Sequence, residues 1–393
     1  MRNDGSTEAA AARLHRLIAF PSVSSTSNLA VTEFVSDRLR ELGFAVAQTK
    51  YEDANGVLKA NLVAKRTPVG VRAEANTDSP GGLAYFCHTD VVPAEHWIGP
   101  HEGSEPFVAV DTNDRIYGRG ACDMKGSLSA MLAAVARVSN EEQARPIWIV
   151  STADEEVGFD GAKHLVQHCD AYRDLVAAQP ISIIGEPTEL DVVYAHKGIR
   201  GFKVTSRGRA GHSATRFGIN ANEAMVPMLV KLAELCNRSR DESGLQDQRF
   251  DPPHLSWNFG VSDQTRVVNI TPERSVAWVS IRTMPGIDGE GLFEEVRLVA
   301  DRLGLEFQPF SGCHPLWTEP DEACVSQMQT IAGGACKTVC YATDGGVFEE
   351  LRHRVVIGPG SIEQAHTVDE WISIEQLARG IDVYEQAIRR WCC

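Results

Sequence analysis

The sequence reads as an α/β protein: a mixed, mostly parallel sheet flanked by helices and interrupted by a small α+β sandwich. Three observations point there. Short apolar runs alternate with helical segments across residues 1–192, which is the pattern of strands joined by crossover helices. Between residues 193 and 311 the order changes to β-α-β-β-α-β, the pattern of an open-faced sandwich. From residue 312 to 393 the α/β alternation returns, so the middle domain is expected as an insertion into a discontinuous first domain.

Taken in order, residues 7–20 carry Ala10, Leu14, Leu17 and Ile18 on one helical face, with Pro21 as the stop. A second helix runs through Val31, Phe34, Val35 and Leu39 to a C-terminal glycine, Gly43. Strands are expected at 83–87, 147–152 and 181–184, and helices at 125–138 and 162–168. In the insertion the reading is a strand at 201–206, a helix at 221–236, strands at 267–270 and 275–281, and a helix at 289–303. The last part gives a helix at 322–332, a strand at 355–357 and a closing helix at 373–390. No internal repeat or low-complexity linker is found.

A chain of 393 residues with 43% hydrophobic content is long enough for two cores. With 53 acidic against 38 basic residues its formal net charge is -15, which repels a phosphate backbone, so no nucleic-acid partner is expected. No apolar run approaches the roughly 20 residues that span a bilayer, and the opening segment lacks a signal-peptide apolar core. A soluble, cytoplasmic protein without membrane attachment is the expectation. The ten cysteines show no Cys-x-x-Cys spacing and read as reduced thiols, with Cys392 and Cys393 as an exposed chain end.

Chemistry concentrates at strand ends. His88 and Asp90 follow the apolar run 83–87, and side-chain alternation puts them on one side of the sheet, where a carboxylate can orient a metal-binding imidazole. Asp123 sits in a glycine-punctuated loop, 118–126, at the start of a helix, placed to cap that helix, to bind a metal, or both. Asp154, Glu155 and Glu156 follow the run 147–152, where a parallel sheet usually carries its active site. Their mutual repulsion calls for a cation, and neighbouring side chains diverge, so one of Glu155 and Glu156 can bind metal while the other faces substrate. Residue types alone leave open which does which. Glu186 repeats the arrangement after 181–184, and His366 follows the glycine-rich run 357–361. Two histidines, one aspartate and two glutamates suit two divalent cations, zinc first, with cobalt or manganese as substitutes.

The strings His88-Thr89-Asp90-Val91-Val92-Pro93, 117–125, Asp154-Glu155-Glu156, 185–188 and 358–366 are collinear with the signatures of a dinuclear zinc hydrolase family. This family includes acetylornithine deacetylase, succinyl-diaminopimelate desuccinylase, aminoacylase and carboxypeptidase G, and the sequence resembles it over essentially the whole chain. The resemblance implies a zinc-exopeptidase-like catalytic domain (1–192 and 312–393) with an inserted ferredoxin-like lid and dimerisation domain (193–311). It implies two zinc ions per chain, His88 and Glu186 on one metal, Glu156 and His366 on the other, and Asp123 bridging. Glu155 becomes the general base and Asp90 the carboxylate that orients His88. His212, in Arg207-Gly208-Arg209-Ala210-Gly211-His212-Ser213, is similar to the family histidine that reaches a partner subunit's site in a homodimer, and Asn269 and Arg282 stand where the family holds a substrate carboxylate.

The implied substrate is a small N-acyl amino acid. Wording at 185–189, 196–198 and 207–210 resembles the acetylornithine deacetylases of arginine biosynthesis, with succinyl-diaminopimelate, an acyl-lysine or a dipeptide as alternatives and a silent metal-binding homologue as the remaining one. Cys87, Asp344-Gly345-Gly346 and 262–265 depart from the family wording and are expected near the substrate pocket.

Overall fold

Four apolar segments, Ile147–Thr152, Leu83–His88, Ile181–Ile184 and Arg354–Val356, lie side by side and parallel. Every residue in them is buried, because a parallel sheet is covered by helices on both faces. In this computed structural model, which describes residues 5–69, 81–265 and 267–393, further strands complete the sheet. Leu58–Arg66 and then Ala45–Glu52 extend it on one side. Val192–His196, Leu316–Trp317 and Cys336–Val339 extend it on the other, giving nine strands.

Alternation along the strands sends two sets of side chains to two helical layers. Leu83, Tyr85, Ile147, Ile149, Ile181 and Ile183 share one core cluster with helices Thr7–Ile18, Leu29–Glu41, Gly126–Ala136, Ala323–Ala332 and Ile374–Cys392. Gly126–Ala136 is largely apolar, and its residues are buried from Gly126 to Val135, as expected of a helix packed between two others. On the opposite face Phe86 meets Phe348, which meets Tyr172 of helix Asp170–Ala178, with helix Asp160–His168 alongside. Local chemistry sets the boundaries. Ser6 caps the first helix by accepting from Ala9 N at 3.2 Å, and Ser373 caps the last by accepting from Gln376 N at 3.0 Å.

The chain divides into two compact units, one made of residues up to Ala195 with Trp317–Lys337 and Thr343–Cys393, the other of His196–Leu316 with Thr338–Ala342. The second unit is a four-stranded antiparallel sheet in the order Ser256–Ser262, Arg274–Thr283, Gly198–Arg207, Glu306–Ser311. Helices Ala221–Asp241 and Glu290–Arg302 pack on it, giving the β-α-β-β-α-β order.

Several element expectations need correcting. The second strand of this unit is Ser256–Ser262, and residues 267–270 form a turn, linked to the His212 loop by an isolated bridge from Ile270 to His212 and by the bond from Ser213 N to Asn269 O. The β-branched run there is attractive as a strand, but Val268 is almost fully exposed. Cys392 is buried, its carbonyl accepting from Ala144 N and Arg145 N, so of the final pair Cys393 alone is exposed. Among the described residues all cysteines are free thiols, and no helix is long and apolar enough to cross a membrane.

Candidate metal centre

The C-terminal ends of the parallel strands converge on one cluster, in which His88, Asp123 and Glu186 are buried and His366 is exposed. His88 closes Leu83–His88, Glu155 and Glu156 form a short turn (Glu155–Val157) just past Ile147–Thr152, and Glu186 stands two residues beyond Ile181–Ile184. Glycine is needed beside Glu186, since a Cβ on Gly185 would sit 2.3 Å from the Tyr85 hydroxyl oxygen. Asp123 comes from the loop before Gly126–Ala136, and His366 from the loop after Arg354–Val356. Thr188 N donates to Gly358 O at 3.1 Å, which ties the Glu186 turn to that last loop.

The Asp123 carboxylate lies between the two imidazoles. Its Oδ1 is 3.0 Å from His88 Nε2 and its Oδ2 is 3.4 Å from His366 Nε2. Glu186 Oε1 approaches His88 Nε2 at 3.8 Å, and Glu156 Oε2 approaches His366 Nε2 at 2.9 Å. All five residues named as ligands are therefore gathered in two groups that share Asp123.

Two acids stand in positions their sequence does not announce. Asp90 reaches the His88 ring mainly through its backbone carbonyl, 3.0 Å from Nδ1, with the carboxylate at 3.7 Å. That carboxylate instead accepts from Ser24 Oγ at 2.7 Å and from the backbone N–H groups of Glu155 and Glu156 at 3.2 and 3.3 Å, so it fixes the turn that carries both glutamates. Asp154 faces the edge hairpin, paired to Lys59 Nζ at 2.7 Å and to the Tyr51 hydroxyl at 2.6 Å, and takes no part in the cluster.

Electrostatics separates the groups. Burial pushes the carboxyls of Glu155, Glu156 and Glu186 up, with Asp123 adding to the rise at Glu156 and Glu186. Asp123 is also buried, but hydrogen bonds from His366 and His88 hold it below the usual carboxylate range. Hydrogen bonds that His366 donates to Asp123 and Glu156 hold its ring up at about 10. Burial opposes the charge on His88, yet Asp123 and its acidic neighbours outweigh it and keep the ring well above its ordinary value.

The donor set fits divalent metal. Acids crowd two imidazoles, Glu156 Oε1 is buried with no partner, and donor atoms of His88, Asp123 and Glu156 lie within 4.8 Å of one another. Mixed imidazole and carboxylate donors suit zinc, cobalt or manganese.

Two residues of the centre carry no role in the sequence reading, although Asp369-Glu370 belongs to the wording that resembles the family. Glu370 is buried and accepts from Gly120 N, Cys122 N and Asp123 N at 3.0, 2.8 and 2.9 Å and from Arg119 Nη1 at 2.8 Å, so it holds the loop that presents Asp123. Asp344 is buried, bonded to the Thr152 hydroxyl through Oδ2 with Oδ1 unpartnered, and burial raises its carboxyl to about 7. Its only sequence signal was a departure from the family wording. The other departures lie elsewhere: Cys87 points into the core and donates to Val150 O, and Asp263 accepts from Asn222 in the second unit.

His212, Asn269 and Arg282 all belong to the second unit. His212 and Asn269 are brought together by the bond from Ser213 N to Asn269 O at 3.0 Å, and His212 Nδ1 accepts from Ala214 N at 3.2 Å. Arg282 is half-buried on Arg274–Thr283, opposite Ser256 and Ile199.

A parallel sheet ending in clustered imidazoles and carboxylates belongs to the class of metal-dependent hydrolases. The model of Peptidase family M20/M25/M40 matches residues 84–390, and the chain belongs to that family. It is 32% identical over 391 residues to an acetylornithine deacetylase of Myxococcus xanthus, covering 97% of each chain. Its fold is similar to that of a di-peptidase from Saccharomyces cerevisiae, with a TM-score of 0.74 at 15% identity over 99% of each chain. It is also similar to a dinuclear metal binding peptidase of the M20 family from Bacillus subtilis, with a TM-score of 0.63 at 12% identity over 98% of this chain and 99% of that one.

Proposed function

We propose that the protein is an amidohydrolase that removes the acyl group from an N-acyl amino acid, with N-acetylornithine or a close analogue as substrate. The observation that carries this reading is the shared Asp123, one oxygen toward each imidazole, with Glu155 alongside. The likeness to acetylornithine deacetylases over nearly the full length supports the substrate class.

His88, Glu186 and Asp123 would hold one cation, and Glu156, His366 and Asp123 the other, with zinc as the proposed metal. Bound there, the cations supply Lewis acidity for the acyl carbonyl and acidify the attacking water. Glu155 takes a proton from that water on its carboxylate and returns it to the amide nitrogen as the C–N bond breaks. Amide and water thereby become a carboxylic acid and an amine, and transfer of the acid's proton to the amine leaves carboxylate and ammonium, so every proton is accounted for. His212 donates to the carbonyl oxygen as charge develops, and Arg282 and Asn269 hold the substrate's own carboxylate.

The second unit is proposed as a lid and homodimerisation domain. Its edge strand Ser256–Ser262 exposes Phe259 and Val261, and helix Ala221–Asp241 exposes Val226 and Val230, apolar surface of the kind an isologous interface covers.

The test is a screen of the zinc- or cobalt-loaded protein against N-acetylornithine, other N-acyl amino acids, succinyl-diaminopimelate, acyl-lysines and dipeptides. Fastest turnover of N-acetylornithine is expected. Turnover of dipeptides with acyl amino acids untouched refutes the proposed substrate, and no turnover of any amide refutes the enzyme.

A further inference from the structure

A second convergence of ligand types lies where helix Ala323–Ala332 begins. Glu322 occupies the N-cap position, but its side chain makes no capping bond. Its Oε2 accepts instead from His353 Nδ1 at 3.0 Å and from Cys324 Sγ at 3.6 Å. Cys324 is buried while Glu322 and His353 are part-exposed, and the three ligand atoms lie within 4.8 Å of one another.

These spacings match a common tetrahedral ion. With Zn–S of about 2.3 Å and Zn–N and Zn–O of about 2.0–2.1 Å, tetrahedral angles put sulfur about 3.6 Å and nitrogen about 3.3 Å from the carboxylate oxygen. Charge is matched too. A thiolate and a carboxylate neutralise a dication while the imidazole stays neutral, and the exposed side leaves room for water as a fourth ligand. Thiolate with imidazole selects zinc or cobalt over the hard cations magnesium and calcium.

The place is separate from the centre described above. His353 immediately precedes Arg354–Val356, whose Arg354 lies opposite Ser182 on the parallel strand Ile181–Ile184, whereas Glu186 stands past that strand's far end. At about 3.3 Å per residue the two lie on the order of 15 Å apart along the strands.

We propose that Glu322, Cys324 and His353 form an independent mononuclear site for a zinc-type divalent cation, which clamps the start of the helix to the start of the strand. On binding, the cation replaces the thiol proton of Cys324, which passes to solvent. His353 coordinates through Nδ1 and keeps its proton on Nε2.

Cobalt is the probe, because a thiolate ligand gives a sulfur-to-cobalt charge-transfer band in the near ultraviolet and the ligands proposed for the first centre include no sulfur. Titration of the full-length protein with Co2+ is expected to produce the band in the wild type and in His366→Ala. It should vanish in Cys324→Ser, and His353→Gln should bind the band-forming ion at least about tenfold more weakly, since losing even an outer-shell partner of a ligand costs about that much. A wild type that takes up cobalt with no such band overturns the proposal. So does a band that survives in Cys324→Ser, since the thiolate is then another cysteine. If Cys324→Ser does not fold, the part-exposed His353→Gln decides, and unchanged affinity there is equally fatal.

Discussion

Glu155 and Glu156 are adjacent in sequence and differ in circumstance. Glu156 contacts His366 at 2.9 Å with its other oxygen orphaned in a buried place, whereas the half-buried Glu155 feels the charges of His88, Glu186 and Asp344. A ligand and a proton carrier fail differently. Glu156→Ala should lower metal content in elemental analysis. Glu155→Ala should keep its metal and lose turnover by about 10²- to 10⁴-fold, the usual scale of general acid–base catalysis. Reversed behaviour would exchange the two roles. Arg282 offers a second contrast: a charge-assisted contact to a substrate carboxylate is worth about 1.5–3 kcal/mol, so Arg282→Ala should lower kcat/KM roughly tenfold to a hundredfold. Arg282→Lys should rescue little, because an ammonium lacks the planar fork. Amidating the substrate's carboxylate should cost the wild type at least as much and leave the alanine variant nearly unaffected. Equal cleavage of acid and amide substrates by the wild type would rule out the clamp.

At the scale of elements, the loop carrying Asp123 is held by a residue nearly 250 positions away. Glu370 satisfies three backbone N–H groups and Arg119, all buried. Glu370→Ala leaves these donors without an acceptor, at a cost of about 3–5 kcal/mol as for other broken buried ion pairs. Denaturant unfolding should register that loss, and metal content should fall with it because Asp123, the proposed bridging ligand, loses its support. A variant with unchanged stability and metal content would reduce Glu370 to packing. The same residue marks the limit of what sequence conveys. Continuously apolar strands such as Ile147–Thr152 and Leu83–His88, and the acids and imidazoles at their ends, are legible because burial on both faces writes an uninterrupted apolar run. The hairpin Ala45–Glu52 and Leu58–Arg66 is not, since Ala45–Glu52 is an edge strand with no wholly buried position and Leu58–Arg66, though mostly buried, is broken by the polar Lys59, Asn61 and Arg66. Ser256–Ser262 fails for the same reason, being an edge strand with Gly260 inside it. Glu370 and Asp344 escaped because their roles depend on partners far along the chain, such as Asp344 on Thr152. Which of Glu155 and Glu156 binds metal was likewise undecidable from neighbouring identical side chains.

For the whole molecule the question is how chemistry is shared between units. The centre built on His88, Asp123, Glu156, Glu186 and His366 belongs wholly to the first unit, and His212, Asn269 and Arg282 wholly to the second. The proposed homodimer would let the second unit of one protomer serve the centre of its partner, and mixing tests this directly. In a heterodimer of a Glu155→Ala chain with a His212→Ala chain, action in trans leaves one site with both residues intact and one with neither. Each single-variant homodimer has two defective sites. Purified heterodimers, verified by two different affinity tags, should therefore recover up to about half the wild-type kcat per dimer, against the 10²-fold or greater losses expected of the Glu155→Ala parent. If His212 acts within its own chain, one site of the heterodimer lacks the base and the other lacks the imidazole, so activity stays at the parental level. That outcome in verified heterodimers would assign His212 to its own protomer or remove it from the mechanism, and a chain that sediments as a monomer at assay concentration would refute the shared site.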